Sequence, residues 1–116
     1  MLTAQETTLK PLELEHRQDA KGREVVAVRG EIDVATSPAL REELYQLIDG
    51  GAREVVVDLS GLGFIDSSGL GVLVAALKHM RERDGQLVLS GLVQPALRVF
   101  EITDLTTLFT LEPAAS

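Results

Sequence analysis

Leu59 to Gly71 read LSGLGFIDSSGLG, and the fold turns on how this stretch joins its neighbours. On its N-terminal side, Glu54-Val55-Val56-Val57-Asp58 is a short β-branched run that suits a strand buried on both faces. On its C-terminal side, Leu70, Leu73, Val74, Leu77 and Met80 recur at helical spacing. The stretch is therefore a strand-to-helix connection, with the helix beginning at Asp66. Asp66 suits the N-cap, because its carboxylate can accept hydrogen bonds from the first free backbone amides. Ile65 and Leu70 then fall at the two positions of a hydrophobic staple. Ser67 and Ser68 occupy the first turn, with hydroxyls facing solvent at the positive end of the helix, where a phosphate can be held. Gly69 and Gly71 each cost a helix about 1 kcal/mol relative to alanine, a cost that points to close approach by a neighbouring strand or by another protein. Serines in a first turn are also ordinary caps, and glycines there ordinary packing devices.

The 116 residues make one domain, long enough for a real core. With three Phe, one Tyr and no Trp, that core must be aliphatic. The absence of cysteine excludes disulfides, thiolate chemistry and cysteine-held metals, and fits a reducing compartment. A formal charge of −7 argues against nucleic acid and anionic membranes as partners, since both demand basic surface. No apolar run approaches the roughly 18 residues of a membrane-spanning helix. The opening MLTAQETTLKPLELE lacks the basic start and apolar core of a signal peptide, so a cytoplasmic location is expected.

Residues 1–8 are polar and expected to be a flexible N-terminus. From Leu9 to Arg17 apolar and polar residues alternate, which reads as a half-exposed strand. Gln18 to Lys21 with Gly22 supply turn chemistry, and Arg23 to Arg29 make a second strand, so the pair is a hairpin. Gly30-Glu31-Ile32-Asp33 is expected to leave the sheet. Ser37 followed by Pro38 is a strong helix start, with Ser37 as cap and a buried stripe of Leu40, Leu44, Leu47 and Ile48 that ends at Gly50-Gly51. A third strand over 54–59 and the helix from Asp66 to about Gly85 follow. Gln86 to Ser90 form a fourth strand, Pro95 opens a short helix with Leu97 and Phe100 facing inward, and Leu108 to Leu111 add an edge strand. Residues 113–116 remain as a tail.

The order predicts an α/β fold: a single domain with a mixed, mostly parallel sheet of four or five strands, flanked by helices and joined by right-handed crossovers. Segments leaving the carboxyl ends of parallel strands lie on one edge, where α/β domains place their sites. Here those segments are 30–36, 60–67 and 90–95, so Asp33, Asp66, Ser67 and Ser68 are expected on one surface.

Enzyme signatures are missing. Neither serine sits in G-x-S-x-G, and the glycines of 61–71 make neither a P-loop nor a complete GxGxxG. His16 and His79 are not placed to serve as base to Ser68, and they show no metal-ligand spacing with the carboxylates. Asp33 and Asp66 could pair as acids or act as two separate caps. No catalytic residue, metal or cofactor is expected, and a small hydrolase using Ser67 or Ser68 is the weaker alternative. The remaining feature, a rigid helix terminus that displays a serine beside carboxylates, is suited to being bound or modified.

Gly30-Glu31-Ile32-Asp33 with Thr36, Val57-Asp58-Leu59-Ser60, and Phe64-Ile65-Asp66-Ser67-Ser68-Gly69-Leu70-Gly71 resemble the anti-sigma-factor antagonists of the STAS domain family, shared with the cytoplasmic ends of sulphate transporters. The resemblance covers residues 9–112 and implies a mixed sheet flanked by helices. It implies that the unphosphorylated protein binds an anti-sigma factor that is also a serine kinase, and so frees a sigma factor. Phosphorylation at Ser68, by motif position the second serine with Ser67 as the alternate, then releases the partner, and a serine phosphatase resets the switch. Asp33, Thr36, Asp66, Ser67, Gly69 and Gly71 are implied at the partner surface, the glycines letting that surface close over the serine. The chain departs from the family pattern at its C-terminal edge, where Glu101 to Leu105 match only approximately and a further helix is common. A STAS scaffold or transporter-associated subunit, binding its partner without phosphorylation, is the alternative of the same fold.

Overall fold

The computed structural model describes residues 12–114. Its elements run β1 (Leu12–Gln18), β2 (Glu24–Ile32), α1 (Ser37–Asp49), β3 (Glu54–Ile65), α2 (Ser67–Glu82), β4 (Gln86–Ser90), α3 (Ala96–Ile102), a 3-10 turn (Leu105–Thr107) and β5 (Thr110–Glu112). The strands form one sheet in the order β1-β2-β3-β4-β5. β1 pairs antiparallel with β2 and every other pairing is parallel, so the mixed, mostly parallel α/β domain is present. The hairpin turn is held by Asp19, whose carboxylate accepts from the Lys21 and Arg23 amides at 3.0 and 2.9 Å. Gly22 completes it at φ +80°, a conformation that glycine adopts freely.

Each parallel strand is added on the same side of the last, and crossovers of one hand then place all the helices on one face of the sheet. The side chains agree. Val26, Val28, Val55, Val57, Leu87 and Leu89 share one core with Leu40 and Leu44 of α1, Leu73 and Met80 of α2 and Phe100 of α3. Their sequence neighbours Val25, Val56 and Val88 form a separate small cluster on the other face. The β-branched run of β3 is thus buried on both faces, with Val55, Val56 and Val57 at 0, 4 and 0% exposure.

The third strand does not end at Leu59. It continues to Ile65, and Gly30 to Ile32 stay in the sheet, because Arg29–Ile32 pair with Gly61–Ile65. Register shifts between Ala27 and Arg29, and between Gly30 and Glu31, each give β3 one extra residue. Such bulges bend a strand and break its alternation, so the pattern there does not read as β. Gly61 belongs to the first bulge: a Cβ there would lie 2.9 Å from Arg29 Cγ. The connection to α2 shrinks to Asp66 alone.

Smaller corrections have similar causes. Ser37 is already helical and Thr36 holds the N-cap position of α1 without a side-chain cap bond, with Pro38 in the first turn as expected. In α3, Ala96 and Phe100 are buried while Leu97 is only half-buried. The edge strand is Thr110–Glu112 rather than 108–111, since Leu108 and Phe109 still belong to the bend that follows the 3-10 turn. Gln18 belongs to β1, and the expected strand residues 9–11, like the N-terminus before them, lie outside the described residues.

Candidate functional site

The N-terminus of α2 is built from the end of β3. Asp66 has extended backbone angles, and its Oδ1 accepts from the Ser68 amide at 2.8 Å and the Gly69 amide at 3.2 Å. Its own amide donates to the Ile32 carbonyl at 3.1 Å, which ties the cap to β2. Ile65 and Leu70 are both buried, as a hydrophobic staple requires. The two glycines separate cleanly. A Cβ at Gly69 would lie 2.6 Å from Ile32 Cγ2 and 2.7 Å from Ile65 Cγ1, so Gly69 serves the approach of the strands. A Cβ at Gly71 would meet nothing within 4 Å, so the described residues give Gly71 no internal reason. Ser67 is exposed and Ser68 half-buried, so full solvent exposure holds only for the first. Neither hydroxyl is tied to another described residue by a hydrogen bond.

Asp33 and Thr36 organise the turn before α1. Asp33 Oδ1 accepts from the Ala35 and Thr36 amides, each at 3.0 Å. The Thr36 hydroxyl accepts from the Asp33 amide at 2.8 Å and lies 3.0 Å from the Glu31 carbonyl and 3.1 Å from Asp33 Oδ1. Thr36 is buried at 7% exposure, whereas Asp33 is half-buried. The two aspartates therefore act as separate caps, each on its own turn.

Pairing of Ile32 with Ile65 brings 33–36 and 66–68 to the same edge. Segment 90–95 does not reach that level, because β4 ends at Ser90 opposite Asp58 while β3 runs on to Ile65. Two residues at this edge escaped the sequence reading: Val34, 74% exposed, and Phe64, 47% exposed. Hydrophobic pattern assigns such residues inward, so only an isolated valine in a polar turn could have hinted at it. Beside α2's first turns lies a groove of about 430 Å³ lined by Ser37, Pro38, Arg41, Glu42, Tyr45 and Val72. Arg41 rests over the Tyr45 ring, 5.1 Å from its centroid.

The histidines sit elsewhere. His79 stacks on Tyr45 at 4.6 Å and bonds Asp49 at 2.8 Å near the far end of α2, and His16 pairs with Glu24 on the hairpin. Among the described residues no His, Cys, Asp and Glu group has metal-holding geometry, and no helix is long and apolar enough to cross a membrane. The shifted ionisable groups lie away from this edge: Asp19 and Glu112 around Arg23, and Glu24 beside Gln18 and His16. Arg23 reaches Asp19 at 2.8 Å, Glu54 at 3.2 Å and Glu112 at 3.0 Å. Hydrogen bonds from Arg23 hold the Glu112 carboxyl below its ordinary range. Burial pushes Asp19 up, but the Arg23 and Lys21 hydrogen bonds outweigh it and leave it low.

Residues 12–115 match the family model of the STAS domain. The chain belongs to the STAS domain family. This STAS domain is 40% identical over 89 residues to an anti-sigma-B factor antagonist of Listeria monocytogenes, covering 75% of this chain and 76% of that one. It is 40% identical over 83 residues to the anti-sigma-B factor antagonist of Staphylococcus aureus, covering 72% and 77%. Its fold is similar to the crystal structure of an anti-sigma factor antagonist from Mycobacterium paratuberculosis, with a TM-score of 0.79, 29% identity and coverage of 89% and 86%.

Proposed function

We propose that this STAS domain is an anti-sigma-factor antagonist switched at Ser68. Unphosphorylated, it binds an anti-sigma factor that is also a serine kinase, and so releases a sigma factor; phosphorylated, it lets go until a serine phosphatase resets it. Such a cycle runs in the cytoplasm and needs no catalysis by this chain. The observation that carries the reading is the Asp66-capped terminus of α2. It holds Ser67 and Ser68 on a fixed backbone with both hydroxyls unbonded among described residues, on the edge that Asp33 also reaches. The regulatory names of its 40%-identical relatives point the same way.

Within the pair, Ser68 is favoured by helical spacing, since it stands one turn before Val72, the residue of α2 that lines the α1–α2 groove. A kinase docked over that groove would meet Ser68 before the outward Ser67. Incubation with the kinase and ATP, followed by peptide mapping, should find one phosphate, on Ser68. A phosphate on Ser67 or on a threonine would overturn the assignment.

A further inference from the structure

Single exposed apolar side chains are ordinary on any protein, but Val34 and Phe64 fall on the same edge, Phe64 paired with Glu31 three residues before Val34. Glu31 pairs with Phe64 and Ile32 with Ile65, and the Asp66 amide donates to the Ile32 carbonyl at 3.1 Å. Val34 and Phe64 thus each stand two residues from one end of the backbone hydrogen bond that fixes the serine-bearing helix. The two segments that carry them hold one sign of charge. Residues 30–36 and 60–72 hold Glu31, Asp33 and Asp66 but no Lys, Arg or His, in a chain with 11 Lys and Arg. The nearest cation along these strands, Arg29, pairs further back with Gly61.

We infer that Val34 and Phe64 are the apolar anchors by which this edge seats on the anti-sigma factor, in a partner surface that offers an apolar pocket rimmed by arginine or lysine. The inference rests on the reading of Ser68 as the switch. A few desolvated anchors carry most of the affinity of an interface, and a charged rim adds steering and orientation. Carboxylates around two apolar side chains match a basic partner and repel an acidic one. A phosphate on Ser68 would stand beside the anchors and hold that pocket away from them.

The test titrates the full unphosphorylated chain with the purified anti-sigma-factor kinase of its own genome, at low and high salt. Phe64→Ala should weaken binding about tenfold or more and Val34→Ser several-fold. Ile102→Ser, a change at a 70%-exposed residue on α3, should bind like wild type. All three should melt close to wild type, and salt should weaken wild-type binding. If Phe64→Ala and Val34→Ser bind normally while Ser68→Asp does not, the switch stands and the anchors fall. Failure of the wild type to bind the kinase would take both down. Self-association in sedimentation, abolished by Phe64→Ala, would make the patch a contact between copies and overturn the inference.

Discussion

Gly69 and Gly71 stand two residues apart on one helix and answer to different neighbours. At Gly69 a methyl group would collide with Ile32 and Ile65, so Gly69→Ala should lose about 1–3 kcal/mol to overpacking despite its better helix propensity. At Gly71 the space is open, and Gly71→Ala should gain about 0.5–1 kcal/mol. Thermal melts of the two variants should move in opposite directions. If a partner closes over position 71, the more stable Gly71→Ala should also bind it less tightly. Asp33 needs a finer probe than alanine, because its Oδ1 holds two backbone amides. Asp33→Ala should cost roughly 1 kcal/mol, more than an ordinary surface change. Asp33→Asn keeps that oxygen and removes only the charge, so it should melt like wild type while weakening partner binding. A normal affinity for Asp33→Asn would make the residue a turn cap and nothing more. The Asp66 cap was legible in sequence because its partners lie two and three residues ahead. A close approach at Gly69 was also legible as one of two alternatives, but not the residue that makes it, since Ile32 comes from β2.

At the scale of elements, the start of α2 decides how a phosphate acts. It would add about −1.5 to −2 charges. Free amides and dipole favour that charge by about 0.3–1 kcal/mol at an exposed site, and Asp66 with Asp33 opposes it by a similar order. The effects nearly cancel, so phosphorylation should leave the domain's conformation alone. Amide NMR of the free protein should show shift changes confined to residues 31–36 and 64–72. Changes spread through the sheet would mean that the domain itself rearranges. On the helix-free face a different element is at stake. Arg23 ties the hairpin turn to β3 and β5 and lines, with Arg17, Asp58, Ser90 and Glu112, a small cavity over Val25 and Val56. The Glu112 carboxyl is lowered from an ordinary value of 4.5, so its contribution is complete above that pH and is lost as pH falls through the folded value. Melting of Glu112→Gln should therefore trail wild type by a constant amount above pH about 5, and the gap should narrow in acid. A gap that is unchanged at low pH would show that the ion pair is not what holds β5. Nothing local in the sequence joins Arg23 to Glu112.

Across the whole molecule, element order and the mostly parallel sheet were readable, while strand order and strand extent were not. Alternation in Leu12 to Glu15, the β-branched run at 54–58 and the helical stripes gave element order, and strands joined by helices gave the parallel sheet with right-handed crossovers. The same rule puts every helix on one face once the strands are known to add in sequence order. That order, and the bulges that carry β3 to Ile65, depend on pairings between distant segments. The consequence is functional, because the longer β3 lifts the Ser68 edge clear of β4 and its loop. A partner can then close over the edge, and a dianion caught beneath it would be buried without compensation. That costs several kcal/mol, where about 2.7 kcal/mol already means a hundredfold in affinity. The most direct measurement is calorimetric titration of the anti-sigma-factor kinase with three forms of this chain: unphosphorylated, Ser68→Ala, and stoichiometrically phosphorylated on Ser68. The first two should bind alike and the third at least about a hundredfold more weakly. Equal affinities for all three would contradict a switch at Ser68.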